Sequence, residues 1–177
     1  MHLLTPRLLL REFLPTDYDA LHEIKSEAEA VRFEHAPFSP ERTREYLQMA
    51  MQDGETDPRI HYRLALTIPP EDTLRGWIAL TLNNPRIHEW EMGWTVHPKE
   101  WGKGYATEAA RAVMHFAFTE LGAHRIVAFC HAKNLPSTRV MEKLGMQREG
   151  HLRRVRWLND AWCDELLFAI LEQEFKK

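Results

Sequence analysis

The chain predicts an α/β fold of the α+β type: a mixed central sheet of about seven strands with helices on both faces. Two observations predict it. Three strand-like runs follow one another between Tyr62 and Val96, separated by short polar turns, as in an antiparallel meander. From Glu89 onward the rhythm changes to strand, helix, strand, ending at Cys130. A meander joined to a strand–helix–strand unit gives a mixed sheet and excludes a doubly wound fold.

The elements read in the order βααβββαβαββ. Leu8 to Arg11 is a short strand preceded by Thr5-Pro6. Asp17 is the expected N-cap of a helix whose apolar positions are Tyr18, Leu21 and Ile24. Val31 to Phe38 is read as a loop. Ser39 and Pro40 open a second helix at N-cap and N1, which runs towards Gly54. The meander strands are Tyr62 to Ile68, Gly76 to Leu82 and Glu89 to Val96, with turns at Pro69-Pro70-Glu71-Asp72 and Asn83-Asn84-Pro85. A long helix follows from about Tyr105 to Leu121, with Ala109, Val113, Phe116 and Ala117 on its buried stripe and Gly122 at its end. Arg125 to Cys130 is a strand, Leu135 to Leu144 a short helix stopped at Gly145. Two strands near Gln147 to Val155 and Ala161 to Leu171 complete the sheet.

Composition narrows the class. A chain of 177 residues is expected to form one domain with a substantial core. The formal charge of −3 supplies no basic field, so no direct nucleic-acid partner is expected. No apolar run approaches the roughly 20 residues that span a bilayer, so no membrane partner is expected either. Arg7 and Arg11 interrupt Leu8-Leu9-Leu10, unlike a signal peptide. Two cysteines, Cys130 and Cys163, make no disulfide framework and suit a reducing cytoplasm. A monomer and a homodimer are equally compatible with the sequence.

The stretch Trp101-Gly102-Lys103-Gly104-Tyr105-Ala106-Thr107 joins the third meander strand to the long helix. Two glycines permit a tight turn, and the helix start adds free amides and a positive dipole end. Such a turn is suited to an anion, pyrophosphate above all. A dinucleotide fingerprint would need a glycine where Thr107 stands and a position after the first strand. A Walker loop would need Gly-Lys-Ser/Thr, and no such string occurs.

The pattern resembles the GNAT acyltransferase superfamily. Trp101-x-x-Gly104-x-Ala106 occupies the place of that family's cofactor loop, Gln/Arg-x-x-Gly-x-Gly/Ala, with Trp101 in the Gln/Arg position. The tryptophan is similar to the Rim-type (RimJ/RimL-like) N-terminal acetyltransferases of ribosomal proteins. So are Leu4-Thr5-x-Arg7-Leu8-x-Leu10-Arg11, Glu91-Met92-Gly93-Trp94, Asn134-x-x-Ser137-x-x-Val140-x-Glu142-Lys143-Leu144-Gly145, and Glu149-Gly150-x-Leu152-Arg153 followed by Asp164. The five pieces lie in family order across the chain.

The resemblance implies the GNAT fold, acetyl-CoA as cofactor and an amine as acceptor: a ribosomal protein N-terminus or a small amine. It implies a V-shaped cleft between the strand Glu89–Val96 and the strand Arg125–Cys130, with pantetheine augmenting the backbone near Trp94 to Val96. Pyrophosphate would sit on Gly102, Lys103, Gly104, Tyr105, Ala106 and Thr107, with Asn134 and Ser137 facing the cofactor from the far side.

Transfer to an amine needs a base, a polarised carbonyl and a thiol leaving group. Glu91 is the first candidate base and Glu89 the second, because they share one side of a strand of period 2. An α-amine, with a pKa near ~8, needs less help than a lysine near ~10.4. In many GNAT enzymes a tyrosine is the acid; its position here is Met141, and Ser137 is the substitute that the Rim-type resemblance implies. Met141 also leaves open a non-catalytic acyl-CoA-binding module. Cys130 is read as a buried structural thiol, and His88, His97, His124 and His131 as surface or turn residues. The loop Phe33-Glu34-His35-Ala36 lies where GNAT proteins close over the acceptor, and its acidic and aromatic content suits a cationic amine.

Overall fold

Short apolar runs between turn residues form eight strands in the computed structural model, which describes residues 1–176. They are β1 (His2–Leu4), β2 (Leu9–Arg11), β3 (His61–Thr67), β4 (Leu74–Asn84), β5 (Glu89–Val96), β6 (Arg125–His131), β7 (Gln147–Leu158) and β8 (Ala161–Leu171). The helices are α1 (Tyr18–Ser26), α2 (Ala28–Val31), α3 (Pro40–Gln52), α4 (Tyr105–Thr119) and α5 (Leu135–Lys143). All eight strands form one sheet in the order β1-β2-β3-β4-β5-β6-β8-β7. Every neighbouring pair is antiparallel except β5 and β6, which α4 connects.

Side-chain alternation divides the core between the two faces of the sheet. Leu64, Leu66, Ile78, Leu80, Trp90 and Met92 pack with Ala109, Ala110, Val113 and Met114 of α4 and with Met141 of α5. On the other face Ala65 and Trp77 pack with Leu21 and Ile24 of α1 and with Leu47 and Ala50 of α3. Helices therefore cover both faces, as the pattern predicts. Phe116 stands at the edge of its stripe, half-buried and edge-on to Tyr62 at 5.4 Å. Met114 takes the fully buried place.

Three expectations are corrected. The sheet has one strand more than predicted, because His2–Leu4 folds back on Leu9–Arg11. This three-residue edge strand leaves Leu4 73% exposed, so it carries no hydrophobic alternation to read. The segment read as a loop begins with the last residue of α2, Val31. Asp17 stands before α1 but makes no side-chain cap. Its carboxylate instead binds the Arg11 guanidinium at 2.8 Å through both oxygens and accepts from the Leu14 amide at 2.8 Å. A bidentate, buried ion pair is stronger than one cap bond, and Arg11 is out of helix range. Ser39 does cap α3, accepting from the Arg42 amide at 3.3 Å.

The feature that makes room for a site is the short pairing between β5 and β6. Only Glu89, Trp90 and Glu91 pair with Arg125, Ile126 and Val127. Beyond them β5 continues to Val96 and β6 to His131 without partners in each other, although β4 pairs β5 along its whole length. Gly76 holds that β4–β5 contact close: a Cβ there would lie 2.4 Å from the Thr95 carbonyl oxygen. Gly93, on the diverging part of β5, has no atom within 4 Å of such a Cβ. Gly76→Ala is expected to cost about 1–3 kcal/mol by forcing the backbones apart, and Gly93→Ala to stay within about 0.5 kcal/mol of the wild type. Urea unfolding of the two variants measures both; equal stabilities would contradict the close approach at Gly76.

Candidate active site

The turn after β5 is built by backbone geometry that only glycine adopts without strain. Gly102 has φ +77° and Gly104 φ +84°. Nothing crowds Gly102, so its requirement is conformational rather than steric. α4 starts at Tyr105, leaving the first-turn amides of Tyr105, Ala106 and Thr107 without intrahelical acceptors. Trp101 closes the turn against the strand, its Nε1–H donating to the Val96 carbonyl at 2.6 Å.

The N-terminal arm holds this turn from outside. Glu108, in the first turn of α4, accepts from Thr5 Oγ1 at 2.7 Å, from the Arg7 amide at 3.0 Å and from Arg7 Nε at 2.7 Å. Arg7 Nη1 donates onward to the Lys103 carbonyl at 2.9 Å, and its guanidinium lies 4.8 Å from the Tyr105 ring centre. Burial alone would raise the Glu108 carboxyl, but the bonds from Thr5 and Arg7 outweigh it and hold the group below the ordinary glutamate range. A carboxylate here also complements the positive end of α4.

A cleft of about 390 Å³ opens beside the turn. Val96, Gly102, Gly104, Tyr105, Ala106 and Thr107 line one side, and Asn134 and Ser137 the other. Lys103 does not line it; its ammonium pairs with Glu100 at 2.7 Å. Asn134 caps α5, its Oδ1 accepting from the Ser137 amide at 3.2 Å. Arg32, Arg139 and Lys143 add positive charge to the wall. Left-handed glycines, free helix amides, unpaired β5 backbone and these cations together fit the pyrophosphate and pantetheine of coenzyme A.

A second cavity, of about 250 Å³, lies where β5 and β6 have separated. It shares Phe33, Glu34, Trp94, Thr95, Asn134 and Ser137 with the cleft, so the two spaces meet at these six residues. Glu34 Oε1 accepts from Thr95 Oγ1 at 2.8 Å. Burial raises the Glu34 carboxyl above the usual range; the Thr95 bond and the charges of Lys25 and Arg156 oppose that shift without cancelling it. Arg156 donates to the Glu34 carbonyl and to Glu165 Oε1, the latter at 3.0 Å, tying the β7–β8 hairpin to the loop that carries Glu34.

Glu91 and Glu89 lie elsewhere. Neither lines the cleft or the cavity. Glu91 sits at the last paired position of β5 and is exposed overall; partial desolvation, then Glu165 and Glu89, raise its carboxyl. Glu89 is committed to Asn83 Nδ2 at 2.7 Å and Arg125 Nε at 2.8 Å. Residue type and strand side put both glutamates on the expected face, but the strands are still closed at that level. Cys130 lines the cavity with a thiol that burial pushes up, and its Sγ is 3.7 Å from Thr138 Oγ1. His97 follows β5 and His131 ends β6, and both are buried, not on the surface: each ring accepts from the amide two residues on, Lys99 at 3.1 Å and Lys133 at 3.0 Å.

Known proteins agree with this geometry. The acetyltransferase (GNAT) domain family matches residues 7–147. An uncharacterized N-acetyltransferase of Bacillus subtilis (strain 168), YnaD, is 35% identical over 176 residues and covers 99% of both chains. The ribosomal-protein-serine acetyltransferase of Escherichia coli (strain K12) is 30% identical over 108 residues, 61% of this chain and 60% of that one. The crystal structure of a GNAT-family acetyltransferase from Bacillus anthracis superposes with a TM-score of 0.88 at 35% identity, covering 98% of this chain and 100% of that one. With the family match spanning most of the chain and the glycine turn, cleft and diverging strands all in place, this chain belongs to the GNAT acetyltransferases and is an acetyl-CoA-dependent acyltransferase.

Proposed function

We propose that this enzyme passes the acetyl group directly to a primary amine held in the cavity between β5 and β6, in a ternary complex, with Glu34 as base. The observation that carries this reading is the meeting of cleft and cavity at Glu34, Thr95 and Ser137. A carboxyl raised by burial accepts a proton nearer neutral pH than an ordinary glutamate does, which suits a general base. The Thr95 hydroxyl fixes its direction.

Acetyl-CoA supplies the activated thioester when bound. The amides of Gly102, Gly104, Tyr105, Ala106 and Thr107 would hold its pyrophosphate, with Lys103 adding charge from the outer side of the turn. Val96 and its neighbours would offer strand backbone to the pantetheine arm, and a β5 amide would polarise the acyl carbonyl. Among the described residues Ser137 Oγ has no side-chain hydrogen-bond partner, and the residue lines both spaces. That leaves the hydroxyl free to give a proton to the departing thiolate or to orient the cofactor. Met141, buried in the core below α5, takes no part. Identity with the ribosomal-protein-serine acetyltransferase supports a Rim-type relationship, with a protein N-terminal α-amine or a small-molecule amine as acceptor.

Glu34→Gln keeps the shape and the Thr95 contact but removes the base. Its kcat is expected to fall about 10²–10⁴-fold, with the acetyl-CoA dissociation constant nearly unchanged. In the wild type, activity is lost as pH falls through the raised Glu34 pKa, because the base must be ionised; this acid limb disappears in Glu34→Gln. Glu91→Gln keeps near-wild-type rates. Steady-state kinetics with detection of free CoA thiol reads all three outcomes, and the reverse ranking of the two variants would assign the proton to Glu91.

The N-terminal arm gives a separate test on the donor side. Arg7→Ala removes the bonds to Glu108 and Lys103 that hold the glycine turn. Acetyl-CoA affinity by calorimetry is expected to weaken by about 1–2 kcal/mol, while kcat at saturating donor changes little. Unchanged affinity would show that the turn keeps its shape unaided.

A further inference from the structure

Lys25 projects from α1 to the wall of the acceptor cavity and is only 4% exposed. Its Nζ lies 4.2 Å from the ring centre of Tyr46, 4.3 Å from Trp77 and 4.9 Å from Phe38. Among the described residues its one polar partner is His35 Nε2 at 3.3 Å. His35 Nδ1 is 2.8 Å from the Ala36 carbonyl, which can only accept, so Nδ1 carries the proton and Nε2 offers its lone pair. Burial and the surrounding cations hold this imidazole neutral, with a pKa pulled down to about 4.

No carboxylate of the described residues comes within ion-pair distance of Lys25. The other charges facing it are already committed. Arg63 pairs with Asp53, Arg156 pairs with Glu165, and Arg42 stacks 4.2 Å from the Phe38 ring. Glu34 holds its hydrogen bond to Thr95 at the junction. Burial draws the lysine pKa down to about 8, which leaves it mostly protonated at neutral pH. Aromatic faces offset part of the cost of burying an ammonium, but a buried cation is ordinarily matched by an anion. Here none stands in contact: Glu34 acts on the ammonium through space, its charge opposing the lowering by burial, but it makes no ion pair with it.

We infer that the acceptor supplies the contacting anion: the substrate is a small primary amine that also carries a carboxylate, its amine at Glu34 and its carboxylate at Lys25. This rests on the transfer reaction proposed above and names its substrate class. A polyamine would set a second cation against Lys25, and a peptide N-terminus would offer it a neutral amide. A cavity of about 250 Å³ is in scale with an amino acid.

The test compares amino acids with their own amides, beside spermidine and a free-amine tripeptide, using the full chain and acetyl-CoA. The best amino acid is expected to exceed its amide at least about ten-fold in kcat/KM, although the amide's amine is the easier to deprotonate. Lys25→Met should bring that ratio close to one, by raising KM for the acid more than for the amide. An amide, spermidine or the tripeptide equal to or better than every amino acid overturns the inference. The wild-type comparison decides this even if Lys25→Met does not fold. Calorimetry on the CoA-saturated protein reads binding without turnover. Acid bound over amide with no amine acetylated refutes the proposed transfer and leaves the carboxylate subsite standing. Amide acetylated with no preference for the acid does the opposite.

Discussion

Everything at the site depends on a ladder that stops early. β5 and β6 run parallel and share three paired positions before they separate. Parallel neighbours need a crossover between them, and α4 provides it; the glycine turn at its start therefore lies beside the mouth of the gap that its strands open. The backbone groups left unpaired on β5 must find partners outside the sheet. The opened strands thus create a binding surface, a helix start and a cavity in one place. Shape here follows from topology before any reactive side chain is considered.

The donor half of the site was legible because its determinants are local. Gly102 and Gly104 must adopt positive φ whatever surrounds them, and the cap of α5 by Asn134 spans three residues. The acceptor half was not, because it is assembled over distance. Glu34 meets Thr95 across 61 positions and Arg156 across 122. Strand periodicity placed Glu91 on a suitable face, but no pattern of residue types reveals the level at which two strands part. Lys25 fits the amphipathic pattern of α1 as a polar residue; its aromatic surroundings come from α3, β4 and the loop at Phe38. Asp17 failed for the same reason, since Arg11 outbids a local cap only once β2 and the start of α1 are packed together.

Charge is distributed differently on the two sides of the junction. The donor cleft offers an anion backbone amides and cations that are solvated or already paired, such as Lys103 with Glu100. That arrangement is insensitive to side-chain protonation near neutral pH. The acceptor cavity instead uses buried groups, Glu34, Lys25 and His35, whose charge states are set by desolvation and by one another. The two halves therefore answer to different variables: the first to backbone geometry, the second to burial.

The acceptor cavity draws Lys25 and Tyr46 from the helices between β2 and β3 and Arg156 from β7, whereas the donor cleft is lined mostly by two segments between Trp94 and Lys143. A substitution in α1, α3 or β7 can therefore reshape the wall of the cavity while leaving the glycine turn and the start of α5 as they are.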